Sequence, residues 1–359
     1  MSVIYYHKGE GAYPHIEPSG ALDLAISSRP LCISSLNDVV IVNPLLRKEA
    51  EIMLVHYDNH KIPVARYITS DKKMLRAVKL PEDSVEYFSQ IELSKLPLWQ
   101  QSLKVKKELD DKVLFHDLCM SCDVPSPRVY RNLESKYQDI REFPLLVKLN
   151  HSACGEGILL VHDAEQLQDF CKQNFAKLGN YHAQGFVPDG RTFTIVVDTY
   201  NICWRWSSLQ LQDGFKHVAN KSFDLNFSDP DLFLSILEPE WKLIYAQVEK
   251  LRQAIIKKGY RGYLGFDVIV NRYGHSFLEC NPRWSSALFY AKVAQRKGWT
   301  SWESRRIKTK YNSFINHDLK ELHPIFGLEE PPVIVNWGGV LYGEIDVVGT
   351  TQMFAEFDQ

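Results

Sequence analysis

A chain of 359 residues is too long for one compact core and suits two or three domains of ordinary size. A hydrophobic share of 45% with 24% charged residues is that of a soluble globular protein, and a net charge of −2 gives no electrostatic argument for nucleic acid or an anionic membrane as partner. No run approaches the length of a membrane span, Met1 to Gly20 lacks a basic-then-apolar leader, and seven scattered cysteines fit reduced thiols, so a cytoplasmic protein is expected.

From Ser2 to about Leu109, short apolar runs alternate with polar breaks: Val3 to Tyr6, Leu31 to Ser34, Val39 to Val42, Ile52 to Tyr57 and Val64 to Ile68. Val39 to Val42, followed by Asn43-Pro44, reads as a buried strand ending in a turn, and the segment as a small α/β domain. It carries no G-x-G-x-x-G and no G-x-x-x-x-G-K-[ST], so it is not read as a nucleotide site. Leu103 to Cys122 has apolar residues at spacings of three and four and predicts one helix, ended by Pro125 and Pro127. Cys119 and Cys122 form a lone C-x-x-C in that pattern, with no second pair at zinc spacing, and read as plain thiols.

Phe143 to Lys148 predicts a strand, and Ile158 to Val161 a second. The loop between them holds Gly155 and Gly157, whose backbone N–H groups can turn toward phosphate oxygens, while Lys148 adds a point charge at the strand end. Ala164 to Leu178 is amphipathic and helical. His182 to Val197 reads as an extended hinge, Ile195 to Gln212 as two strands with Trp204 and Trp206 on one face, and Phe215 to Phe223 as a strand carrying Lys221. Glu240 to Lys258 predicts a long helix stopped by Gly259.

Tyr263 to Asn271 and His275 to Asn281 then predict a β-hairpin. A three-residue loop, Arg272-Tyr273-Gly274, pairs Asn271 with His275 and sets Asp267 opposite Glu279; a four-residue loop would set it opposite Leu278. With the first register, Asn281 shares the face of Glu279 while Leu278 and Cys280 point away. Three oxygen donors then converge, and two carboxylates that close both stay ionised only with cations between them, most plausibly Mg²⁺. Arg283, two residues past Asn281, is placed to meet an anion held there. Ser285 to Arg296 predicts a helix, Gly298 to Gly327 a helical surface, and Pro332 to Phe357 two short strands around Gly338-Gly339 and Gly343.

Gly-Phe-Asp (265–267) followed by Glu-Cys-Asn-Pro-Arg (279–283) resembles the metal-binding signature of the ATP-grasp superfamily. The order of strand, glycine loop, helix, hinge, strands, helix and hairpin over about 110–295 is similar to the order in that family. The resemblance implies an α/β (α+β) ATP-grasp fold with an N-terminal α/β domain over 1–109, an ATP-grasp domain over 110–325 divided at 190/191, and a tail over 326–359. It implies ATP and Mg²⁺ (or Mn²⁺) as cofactors, and a small-molecule carboxylic acid and an amine, such as an amino acid or peptide, as partners.

By the same resemblance Lys112, Lys148 and Lys221 contact nucleotide phosphates, although Lys112 and Lys221 read equally well as solvated lysines. Gly155 and Gly157 form the phosphate flap, and Gln184, Phe186 and Val187 the adenine hinge, with Gln184 where relatives often carry Glu and Thr192 where a ribose-binding carboxylate is common. Asp267, Glu279 and Asn281 hold metal, and Arg283 steadies the reacting group. The activity implied is an ADP-forming ligase making an amide through an acyl phosphate. A small-molecule kinase and a non-catalytic ATP-binding sensor or scaffold are the alternatives, and a homodimer is compatible with the family.

Overall fold

The computed structural model describes residues 4–6, 28–36, 38–69, 85–87, 97–151, 157–199, 205–222 and 238–358. The chain divides into two compact units. One is made of Met1–Glu92, Ala219–Ser222 and Arg283–Gln359, the other of Leu93–Val218 and Phe223–Pro282.

The first unit opens with β1 (Ile4–Tyr6), β2 (Val39–Val42), α1 (Arg47–Asn59), β3 (Arg66–Thr69) and β4 (Val85–Tyr87). The strands form a parallel sheet in the order β3-β2-β1-β4. Parallel strands need crossovers that cover the sheet, and α1 supplies one, burying Ala50, Met53 and Tyr57 at helical spacing. The run Ile52 to Tyr57 belongs to this helix, and Leu31 to Ser34 to a 3₁₀ turn over Arg29–Ile33.

The second unit begins with α2 (Pro97–Asp110) and α3 (Lys112–Ser121), where a single helix was expected from Leu103 to Cys122. Asp111 breaks the run: it is extended, and its carboxylate accepts the N–H groups of Val113 at 2.8 Å and Leu114 at 3.0 Å. A buried-face pattern continues across such a break because the two helices pack on the same surface, so periodicity alone does not reveal it. The thiols of Cys119 and Cys122 are buried and free, as expected.

Next come β5 (Val129–Tyr130), α4 (Leu133–Lys136), β6 (Leu145–Leu149), β7 (Leu159–Val161), α5 (Ala164–Gln173) and β8 (Tyr181–Gly185). The strands form a sheet in the order β5-β8-β6-β7, with Leu145, Val147, Val161, Leu167, Cys171 and Leu178 in its core. Helix α5 is shorter than expected and gives way to a 3₁₀ turn over Phe175–Asn180.

Then follow β9 (Arg191–Asp198), β10 (Arg205–Asp213), β11 (Lys216–Ser222), α6 (Glu238–Lys257), β12 (Tyr263–Asn271) and β13 (Gly274–Asn281). Strand β11 is divided: Lys216–Val218 belong to this unit and Ala219–Ser222 to the other. Trp204 and the side chain of Trp206, expected on one face, lie outside the described residues. Strands β13, β12 and β9 are neighbours, and α2, α3 and α6 contribute Leu109, Phe115, Trp241, Ile244, Val248 and Leu251 to a core against Phe193, Ile195, Phe266 and Phe277. His275 on β13 fixes α6 in place, one ring nitrogen facing Glu240 and the other Gln247.

The first unit resumes with α7 (Ser286–Lys297), β14 (Glu303–Lys308), α8 (Leu319–Leu322), β15 (Val333–Asn336), β16 (Glu344–Gly349) and α9 (Thr351–Phe357). Strand β14 corrects the expectation of a helical surface over Gly298 to Gly327. Its basic residues find carboxylates, Arg305 bonding Glu303 and Asp358 at 2.8 Å and Arg306 bonding Asp346 at 2.8 Å, while its backbone pairs with β16. The two expected strands of the tail are β15 and β16, and the tail also ends in a helix capped by the Thr350 hydroxyl. Among the described residues no helix is long and apolar enough to cross a membrane.

Phe266 is fully buried between Phe115 and Phe277, with ring centroids 6.1 and 6.2 Å away. Phe266→Ala should therefore cost about 3–5 kcal/mol, read as a lower denaturation midpoint in urea.

Candidate active site

On β12, Leu264, Phe266, Val268 and Val270 face the helices, which turns Gly265, Asp267 and Ile269 to the opposite side. Asp267 pairs with Glu279 and Gly265 with Asn281. The route to that register differs from the expected one. Asn271 pairs with Gly274, not His275, so the loop proper is Arg272-Tyr273, with Gly274 at φ +134°.

A β-bulge between Asp267 and Val268 restores the offset, Val268 pairing with Phe277 so that Leu278 is the extra residue. The bulge changes the faces. Phe277 and Cys280 both enter the core, where simple alternation would have put Phe277 beside Glu279, and Glu279 and Asn281 emerge on the side of Asp267.

The side chains converge. Asn281 Nδ2 donates to Asp267 Oδ2 at 3.4 Å and to Glu279 Oε1 at 3.3 Å. Thr194, opposite Asp267 on β9, donates its hydroxyl to Asp267 Oδ1 at 2.8 Å and accepts from Gln210 Nε2 at 2.8 Å. The ammonium of Lys112 lies 2.9 Å from Glu279 Oε2. It stands there because Asp111 starts α3 at this residue and the Lys112 N–H donates to the carbonyl of Asn150 just past β6.

Lys148 is buried on β6, its Nζ donating to Gln184 Oε1 at 2.6 Å. Its ammonium is within electrostatic reach of Glu279, Lys112 and Asp267.

The charges are unequal in effect. Burial, then the charge of Glu279, pushes Asp267 well above the usual carboxylate range, against the bonds from Thr194 and Gln210. Burial also pushes Glu279 up, but the charge and hydrogen bond of Lys112, the hydrogen bond from Asp267 and the charge of Lys148 outweigh it and hold Glu279 at about 2. The two carboxylates therefore titrate as a pair, Asp267 pushed up and Glu279 held down. Burial lowers Lys148 to about 8, with Lys112 adding to the effect and Glu279 and Asp267 opposing it.

The donor set suits a hard divalent cation, whose charge would offset the repulsion within the pair. Asp267 and Glu279 offer carboxylate oxygen, and Asn281 offers Oδ1 once its amide is turned over. Among the described residues no group of three or more His, Cys, Asp or Glu is arranged to hold a metal, and beside the two carboxylates the oxygen of the Asn281 amide would be the third donor.

The remaining expected residues are placed as follows. Gly157 has φ +71°, a conformation glycine adopts freely, and Gly155 lies outside the described residues. Gln184 is buried on β8 and committed to Lys148. The Phe186 N–H bonds the carbonyl of Pro144 at 3.3 Å, its ring meets Phe215 edge-on at 6.5 Å, and Val187 follows, half-buried, beyond the strand. Thr192 is buried on β9. Lys221 and Arg283 fall in the first unit, not in the unit that holds this cluster.

The contributions of Thr194, Gln210 and Asp111 were missed in the sequence. Thr194 is signalled only by its alternation with Phe193 and Ile195. Asp111 is signalled by the preference of aspartate for a helix start.

No protein-family model matches the sequence, and no curated protein matches it. Solved structures do match in shape. N5-carboxyaminoimidazole ribonucleotide synthetase from Thermus thermophilus is similar over 99% of this chain and 96% of its own, at 15% identity and a TM-score of 0.55. The Staphylococcus aureus N5-carboxyaminoimidazole synthetase, complexed with ADP, covers 99% and 96% at 13% identity and a TM-score of 0.54. The biotin carboxylase domain of Hydrogenobacter thermophilus 2-oxoglutarate carboxylase, in complex with magnesium ADP, ADP and bicarbonate, covers 86% and 74% at 14% identity and a TM-score of 0.53. At such identities the likeness is one of fold, and the fold is ATP-grasp.

His182, opposite Lys148 in the sheet, is buried, and its Nδ1 is 2.9 Å from Asn150 Oδ1. Burial, then the charges of Lys148, Lys112 and His116, lowers it to about 3. The folded state therefore binds fewer protons than the unfolded chain between that value and about 6.5, so stability rises with pH across this window and is lost as pH falls. Between pH 6.5 and 4.5 about 2 kcal/mol of unfolding free energy should disappear through this residue, and His182→Gln should flatten that part of a stability-against-pH curve.

Proposed function

We propose that the protein is an ATP-dependent, ADP-forming ligase joining a small carboxylic acid to an amine, through activation of the acid as an acyl phosphate. The observation that carries this reading is the meeting of Asp267, Glu279 and Asn281 on one face with Lys112 and Lys148 beside them. Magnesium ATP, when bound, supplies the phosphoryl group that makes the carboxylate reactive toward an amine.

The residues then have distinct tasks. Asp267, Glu279 and Asn281 hold the metal, and Thr194 keeps Asp267 turned toward it. Lys112 and Lys148 neutralise phosphate charge, with Gln184 fixing the Lys148 ammonium. The loop containing Gly155 and Gly157 covers phosphate oxygens with backbone N–H groups, and the extended backbone at Phe186 and Val187 lies along the adenine. The proposal reaches Lys221, as a further phosphate contact, and Arg283, as the group steadying the acyl phosphate, through their places in the sequence. Binding and charge neutralisation are most of what phosphoryl transfer asks of a protein.

An amino acid or a short peptide is proposed as partner substrate. ADP formation with acid and amine both present, and little with either alone, is the expected result of screening amino acids and dipeptides. A phosphorylated product without amine would make the protein a kinase, and a nucleotide-dependent rise in Tm with no turnover would make it a sensor.

Glu279→Gln should lower kcat at saturating Mg²⁺ by at least about a hundredfold, the scale of losing one charge-stabilising group. Unchanged turnover in that variant would remove the metal assignment.

A further inference from the structure

A second polar cluster is built into the first unit from five separated stretches of chain. Asp346 on β16 is 3% exposed. Its Oδ1 accepts from Arg306 Nε at 2.8 Å, and its Oδ2 accepts from Asn336 Nδ2 at 2.9 Å and the Tyr290 hydroxyl at 3.2 Å. Arg29, 9% exposed, brings Nη2 to 3.8 Å from the same Oδ2, inside ion-pair range and outside hydrogen-bond range. Its Nε is buried with no hydrogen-bond partner among the described residues. Beside it the fully buried Ser28 hydroxyl accepts the Gly338 N–H at 2.9 Å.

Burial pushes Asp346 up, but Arg306 by charge and hydrogen bond, then Arg29 and Asn336, hold it below its ordinary range, so it is an anion. Two guanidinium groups, which cannot lose their protons near neutral pH, face it, and the charge of Glu344 also reaches Arg306. Three hydrogen bonds occupy the Asp346 carboxylate, while the buried Nε of Arg29 has no hydrogen-bond partner among the described residues. A buried donor left unsatisfied costs about 1–3 kcal/mol, and an aliphatic side chain would fill the same space without that cost. Arg306, with 52% of its side chain exposed, gives the cluster a solvent-facing end.

We propose that Arg29 and Arg306 bind the carboxylate or phosphate group of a small molecule in the first unit, using the planar donor fork that matches either oxyanion. Asp346, Asn336 and Tyr290 are positioning residues that hold the two guanidinium groups in place. The site shares no residue with the carboxylate and lysine cluster of the other unit, and its existence does not depend on the ligase reading.

The test is titration of the full chain, at constant ionic strength, with inorganic phosphate and separately with acetate, followed by calorimetry and by thermal unfolding. Saturable binding of at least one probe is expected, weakened at least tenfold in Arg306→Gln and retained in Lys148→Met. Phosphate alone binding, or acetate alone, identifies the oxyanion recognised. Arg29→Met should lose binding as well, and if it fails to fold the half-exposed Arg306 carries the decision. No saturable binding of either probe, equal binding in Arg306→Gln, or binding abolished by Lys148→Met would overturn the proposal. Because the readout is binding, an inactive or a non-ligase protein leaves the result equally decisive.

Discussion

The register between β12 and β13 is the constraint on which the rest of the candidate site depends. It puts two carboxylates side by side at the edge of a core, where like charges a few ångströms apart repel on the order of 4 kcal/mol at an effective dielectric near 20. Such a pair persists only with compensation. In the protein as folded, compensation comes from the Lys112 ammonium on Glu279 and from the amide of Asn281 shared between the two carboxylates. A pair so costly to assemble, with oxygens directed to one face, is suited to holding divalent cations. The bulge at Leu278 is what makes the pair possible, since without it Glu279 would share the face of Phe277 and enter the core.

The two lysines are placed by a helix break and by backbone pairing. Lys112 owes its position to the break at Asp111, which ends one helix and caps the next, and to the backbone bond that ties the start of α3 to Asn150. Lys148 owes its position to the pairing of β6 with β8, which sets Gln184 within 2.6 Å of its ammonium. A lysine desolvated in this way is held near the edge of its charged range, so its charge responds strongly to neighbouring groups. Gln184 gives the Lys148 ammonium a hydrogen bond without adding a charge beside it.

The likeness to synthetases and carboxylases at 13 to 15% identity has a physical basis in how little of a fold is specified residue by residue. Cores tolerate wholesale exchange of apolar side chains provided that volume and period are kept. Here the β12 alternation of Leu264, Phe266, Val268 and Val270 under Trp241, Val248 and Leu251 keeps that period.

The sequence by itself determined the α/β class, the buried strand at Val39 to Val42, the hairpin of β12 and β13, the long helix before it, and the residue types brought together by that hairpin. These are local matters, set by periodicities of 2 and 3.6, by turn chemistry, and by the alternation that turns Asp267 away from Phe266. Tertiary structure alone decided the rest. The bulge depends on which residue best fills the core beneath β13, and Phe277 wins that place. The break at Asp111 is invisible to periodicity because both helices keep one buried face. Strand β14, which reads as a basic surface helix, is a strand because Glu303, Asp346 and Asp358 meet its arginines and β16 meets its backbone. For the bulge, and for the pairing of β14 with β16 and of Arg306 with Asp346, partners distant in sequence supply the energy, and a linear pattern carries no record of them.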